Sequence, residues 1–281
     1  MKGKTLILLV AAVLFLMPKI NFGQAPDLGH ASSFALFTAT GAFTNTGTTT
    51  ITGDIGTNAG AFTGFPPGTV IGSIHVADAT SALAATSTLD AYGYMSTLGG
   101  SVIPVGLGND QLLVPGIYQT GAASTLNGNL ILDGQGDPDA LFIIRIGGAL
   151  ATSGSAEVIL INSASPNNVY WQIGGQFDLT DGSVFKGTLI VDGAINLLGS
   201  SSLVGRGLSV SGAITTASNE VILGSPPAAP TVTLTQPTCI LATGTITVTA
   251  PTGAGMTYSI DGLTYQASAT FSGLTDRKSV V

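Results

Sequence analysis

Few side chains in this 281-residue chain can move a proton or hold a metal. The histidines are His30 and His75, the one cysteine is Cys239, and Asp and Glu together number 15. Nucleophilic catalysis needs a histidine set between a hydroxyl and a carboxylate, and no order of residues around either histidine argues for that. Both read as hydrogen-bonded structural residues. Asp133, Asp137 and Asp139 in LDGQGDPDA look like a calcium loop, but the full EF-hand spacing and its terminal Glu are absent, so they read as a chain corner. Arg145 in FIIRIGG reads as the partner of a carboxylate, Asp139 or Asp133, and Tyr170 and Trp171 in NNVYWQIGG read as packing residues. The expectation is a protein without catalytic residues, metal or cofactor.

What the chain has in quantity is threonine and glycine. Leu28 to Ile74 holds one acid, Asp54, and no Lys or Arg. Threonine is stiff at χ1, favours strands and presents one methyl and one hydroxyl, so such a stretch can build a flat, weakly polar surface. Charged residues make up 8% of the chain, mean hydropathy is +0.50 and the formal net charge is -7. Between Lys19 and Arg277 the only cations are Arg145, Lys186 and Arg206, too few to track phosphates, which excludes nucleic acid as a partner. Residues 1–23 read as a secretory signal: Lys2 and Lys4 precede the short apolar run LILLVAAVLFLM, and Gly23 is a small residue at the cleavage point. No later segment is long enough to span a membrane. A secreted or extracellular protein, free or associated with the cell surface and without cystines, follows.

The elements that would carry the surface are strands broken by glycine turns. Residues 24–225 read as one unit, 226–231 as a Pro/Ala linker and 232–281 as a different β-pattern. One helix is expected from Ala79 to Leu98, with Asp78 as N-cap, Gly99-Gly100 as the stop, and Ala82, Ala85, Leu89 and Tyr92 as its apolar stripe. Thr125, Thr152, Thr180, Leu198 and Thr216 occupy similar places before turns. They imply a basic coil of about 18 residues with loops inserted in two of the earlier coils. A period of that size points to a parallel β-helix of triangular cross-section with the helix along one side, rather than an antiparallel sandwich, because NG and DG hairpin signals are rare between the strands.

The motifs LGHASSFALFTATGAFTNTGTTTITGDIGTNAGAFTGFPPGTVIG, DAYGYMSTL, LVPGIYQTGAASTLNGNLILDGQGDPDALFIIRIGGAL and NNVYWQIGG occur in this order over roughly residues 28–223. They resemble the secreted ice-binding (antifreeze) proteins of bacteria, fungi and diatoms. The resemblance implies a mainly β protein: a right-handed, discontinuous parallel β-solenoid flanked by one long α-helix. It also implies adsorption of a monomer to an ice crystal surface through one flat face, with inhibition of ice growth and recrystallisation and with thermal hysteresis. Some members carry Thr-(Ala/Gly)-x-(Thr/Asn) there, matched here by Thr46-Gly47-Thr48-Thr49 and Thr216-Ala217-Ser218-Asn219 and in part by the runs at Thr152, Thr180 and Leu198. The candidate contact residues are accordingly Thr46, Thr48, Thr50, Thr63, Thr152, Ser155, Thr180, Ser183, Ser200, Thr216, Ser218 and Asn219. The rival readings are a cell-surface adhesin, a carbohydrate-binding solenoid and a pectin-cleaving enzyme. The last needs clustered carboxylates and cations that three basic residues cannot supply. The tail resembles an immunoglobulin-like repeat of bacterial surface proteins, short of a full sandwich. Its last residues, 276–281, depart from everything before them and read as a sequencing artefact at a truncated gene end.

Overall fold

The computed structural model describes residues 24–224 and, beyond them, 231–237, 243–250, 258–260, 264 and 266–275. The expected signal segment, most of the linker, Cys239 and residues 276–281 lie outside the described residues. Contacts divide the chain into Met1–Gly224 and Ser225–Val281. In the second unit, strands Thr231–Thr235, Thr243–Ala250 and Thr270–Thr275 form an antiparallel sheet, and the first of them is exposed along its length.

The first unit is a parallel β-solenoid with three faces. Inward side chains of every coil meet in one apolar core that includes Phe43, Leu126, Phe142, Trp171, Phe177, Phe185 and Leu203, all fully buried. Trp171, Phe185 and Phe177 form a chain of ring contacts at 4.8 and 4.9 Å, and the indole Nε1 donates to the Lys186 carbonyl. Two faces join into one 15-stranded sheet because the strands Val184–Val191 and Ser202–Ser209 turn a corner without breaking. Gly187 and Gly205 make that turn with φ of 115° and 142°, a backbone that a side chain disfavours. The third face is a separate eight-stranded sheet.

The solenoid is discontinuous in sequence. Strand Phe34–Thr38 pairs with Ser202–Ser209, Phe43–Thr46 with Ile214–Ala217, and Thr50–Thr52 with Glu220–Ile222. The coils made first therefore stack on the coil made last. The chain reaches one end of the stack at Ile74–Val76, crosses in the helix, and restarts at the opposite end with Ser101–Val102. The expected inserted loops are present after Asn129–Asp133 and Glu157–Ile161. Asp133 Oδ1 accepts from the Gln135 N–H and from Asn162 Nδ2, and Asp137 Oδ1 accepts from the Asp139 N–H, so two of these acids brace the corner.

The helix α1 runs from Ala79 to Ser96. Asp78 caps it: its Oδ1 accepts from the Ser81 N–H at 2.7 Å while Ser81 Oγ takes the Asp78 N–H. That backbone bond, followed by the hydrogen bond from His75, holds the Asp78 carboxyl below the ordinary carboxylate range. The buried stripe is Ser81, Ala84, Thr88, Ala91 and Met95, one residue out of phase with the expected Ala82, Ala85, Leu89 and Tyr92; Leu89 is 56% exposed. Small side chains won because the helix lies close against a sheet whose own outward residues are large: Phe34, Phe37, Ile143, Tyr170, Ile190 and Leu208. Thr88 satisfies its hydroxyl on the Ala84 carbonyl.

Arg145 corrects a second expectation. It pairs with neither Asp139 nor Asp133; its guanidinium donates to the carbonyls of Ser96 and Leu98 and to Gln172 Oε1. A cation there meets the unpaired carbonyls and the negative end of the helix dipole. Among the described residues no helix is long and apolar enough to cross a membrane.

Candidate functional face

One of the three faces is hidden by α1 and its partners. Another, running through Thr69–Ile71, Thr50–Thr52, Glu220–Ile222 and on to Gln111–Leu113, mixes aliphatic side chains with charge. Ile71 and Leu112 are exposed, Glu220 is exposed, and Lys186 Nζ sits 3.0 Å from Glu157 Oε1. Neither presents a uniform plane.

The eight-stranded sheet does. Its strands are Phe62–Thr63, Phe43–Thr46, Ile214–Ala217, Ile195–Leu197, Phe177–Leu179, Leu150–Thr152, Ser124–Asn127 and Gly106–Gly108, in that order. None of its pairings shifts register, whereas the pairing of Phe34–Thr38 with Asp54–Thr57 on the covered face does. Strand alternation sends Phe43, Ile214, Ile195, Phe177 and Leu150 into the core. The residues between them face outward in one row across the coils: Thr63, Thr44, Thr215, Asn196, Asp178, Ala151, Thr125 and Gly106. A second outward row contains Thr46 beside Ala217 and Asn127 beside Gly108.

The other neighbouring row consists of Ala61, Ala42, Ala213, Ala194, Gln176, Ala149 and Ala123. Each of the first six passes its carbonyl to the amide that follows the next one in the stack, as in Phe43 N–H to Ala61, Ile214 N–H to Ala42 and Ile195 N–H to Ala213. The glycine before most of these alanines is required by crowding. A Cβ on Gly41 would lie 2.1 Å from the Gly212 carbonyl oxygen, and one on Gly212 2.1 Å from the Ala194 nitrogen. Corner Gly, outward Ala, inward apolar residue is thus the sequence repeat of this face: GAF at 41 and at 60, GAL at 148, GAI at 193 and at 212, with GQF at 175 as a variant. Sequence reasoning that followed threonine missed it, and with it Thr44, Thr125, Asn196 and Thr215. Asp178 is the one ionisable side chain in these rows.

The twelve candidates divide by position. Thr46 and Thr63 face outward on this sheet and are exposed. Thr48, Ser155, Ser200 and Ser218 are exposed at the corner between it and the charged face, the three serines with φ near +60° (60°, 58° and 56°). Thr50 lies on the charged face itself, paired with Glu220. Thr180 is half-buried, its hydroxyl bonded to the Thr152 carbonyl. Thr152, Ser183, Thr216 and Asn219 are buried and turn inward. Thr216 Oγ1 donates to Asn45 Oδ1 at 2.8 Å, Ser183 Oγ to the Ser153 carbonyl, and Asn219 Nδ2 to the Leu198 carbonyl and Ser201 Oγ. The register explains this: Thr216 stands beside Asn45 and Ala217 beside Thr46, so the two four-residue motifs are offset by one position and their threonines point to opposite sides. Inward hydroxyls and amides satisfy the carbonyls that a tight corner leaves unpaired.

Fold and face define a class: a parallel β-solenoid with a regular, nearly uncharged plane along one side. A family model described as ice-binding-like matches residues 37–222. An ice-binding protein of Nostoc sp. (strain HG1) is 33% identical over 219 residues, covering 77% of this chain and 81% of that protein. The crystal structure of an ice-binding protein from the Antarctic ascomycete Antarctomyces psychrotrophicus superposes with a TM-score of 0.68 at 32% identity, over 72% of this chain and 100% of that one. One from an Antarctic bacterium of the Flavobacteriaceae gives 0.69 at 38% identity, over 74% of this chain and 51% of that one. The chain belongs to the ice-binding-like family.

Proposed function

We propose that the protein is secreted and adsorbs to ice through the eight-stranded face, and thereby inhibits ice growth and recrystallisation. One observation carries this reading. Among the described residues, the eight-stranded sheet is neither covered nor strongly charged, it keeps its register from strand to strand, and its outward rows are mainly alanine and threonine with Asp178 as their one ionisable side chain. Neighbouring strands stand ~4.8 Å apart and alternate outward residues ~6.6 Å apart, spacings on the scale of ice-lattice repeats. Threonine and alanine lose little side-chain entropy when ordered against a solid. Methyl groups cage water and hydroxyls anchor it, so the face holds a water layer that merges with the crystal. Ice then grows as curved fronts between bound molecules, which lowers the local freezing point.

The test is ice-affinity pulldown with single-crystal hysteresis. The parent protein partitions into the ice fraction, and Thr215→Tyr, which raises a ring from the central row, stays in the liquid with its melting temperature unchanged. A parent protein left in the liquid fraction refutes the reading.

A further inference from the structure

The central row is not uniform. At three consecutive coils its side chains are joined. Thr215 Oγ1 donates to Asn196 Oδ1 at 2.7 Å, Asn196 Nδ2 donates to Asp178 Oδ1 at 2.7 Å, and Gln176 Nε2 reaches the other carboxylate oxygen of Asp178, also at 2.7 Å. The chain has one direction, with every donor pointing toward Asp178. It occupies the middle of the sheet, between the threonines at Thr44 and Thr63 and the small residues at Ala151 and Gly106. It also fills the one place where the alanine row is interrupted, by Gln176.

An isolated carboxylate in a plane that must order water is an obstacle, because an ion holds its own shell tightly. Here both carboxylate oxygens take an amide N–H, and the charge is spread over a chain. Only an ionised carboxylate can accept from both sides without donating. That fixes the amide of Asn196, and the amide in turn fixes the Thr215 proton. With its proton committed, Thr215 presents only acceptor lone pairs to the water above it. Resting on the proposed ice-binding face, we infer that Asp178 is a positioning residue for ice. It locks Asn196 and Thr215 in one rotamer and one donor–acceptor sense, so the centre of the plane is ordered before ice arrives. Exchange of Asp178 for threonine, which makes the row look more regular, therefore weakens binding.

The experiment compares Asp178→Thr, Asp178→Asn and Thr44→Tyr with the parent by hysteresis, ice pulldown and thermal melting. Thr44→Tyr reports on the face itself, since Thr44 stands beside Thr215 in the register and outside the chain. Asp178→Thr loses at least about threefold in hysteresis with an unshifted melt, because ordering then falls on the ice-bound state. Asp178→Asn keeps an oxygen for Asn196 while the Gln176 amide turns over, and stays within about twofold of the parent. Asp178→Ser repeats the threonine arm without a β-branch. Hysteresis at or above the parent in Asp178→Thr, with Thr44→Tyr inactive, overturns the inference and leaves the face standing. Equal losses in Asp178→Asn and Asp178→Thr overturn it too, since charge and not the chain would be responsible. Full activity in Thr44→Tyr removes the face and the inference together.

Discussion

Thr215 and Thr216 are adjacent, of one type, and opposite in role. Thr215 is exposed in the central row, whereas Thr216 is 2% exposed and tied to Asn45. Composition cannot separate them, because a threonine serves equally as an inward partner for a corner carbonyl and as an outward contact. Only the register separates them, and the marker of register is the Gly-Ala-apolar triplet, legible once the stack is known. Exchange of Thr216 for valine keeps the shape and removes the hydroxyl, leaving the buried Asn45 Oδ1 without its donor. The expected cost is about 1–3 kcal/mol in urea unfolding, with hysteresis per folded molecule unchanged. A loss of hysteresis without a loss of stability would return Thr216 to the ice contact.

At the level of elements, the helix and its cap at Asp78 were legible, because a capping residue before an Ala/Thr-rich segment and a Gly-Gly stop are local signals. Its phase was not. The apolar period points to Ala82, Ala85, Leu89 and Tyr92, while close approach to Phe34, Ile143 and Tyr170 selects Ser81, Ala84, Thr88 and Ala91. The two helix ends give separate predictions. Arg145→Met frees the carbonyls of Ser96 and Leu98, which costs about 1–2 kcal/mol. It should lower hydrogen-exchange protection over the last helical turn while ice pulldown is retained. At the other end the Asp78 carboxyl titrates below its ordinary value, held by the Ser81 N–H and His75. A depressed carboxylate stabilises fully above its unfolded value and ceases to do so as pH falls through the folded one. Asp78→Ala therefore melts below the parent at neutral pH, and the gap closes on acidification; a gap independent of pH contradicts this cap.

For the whole molecule, the solenoid class and its split around the helix followed from the coil period and the family resemblance. The choice of face did not, since it depends on what covers each sheet. The charged face provides the control. Ser202 pairs with Glu220 there, in the row that also carries Thr50. Ser202→Tyr leaves hysteresis at the parent value in the single-crystal assay, in contrast to Thr215→Tyr. Loss in both would mean that two faces meet the ice.

The helix leaves one end of the stack and delivers the chain to the other, so its length is a ruler for the number of coils. One more coil thickens the stack by ~4.8 Å, which at 1.5 Å per residue the ruler matches with about three further residues. A larger contact area in this architecture cannot come from duplicating a coil alone. It demands a concerted insertion at two distant points of the gene, and that requirement gives the plane a size that drifts only in steps.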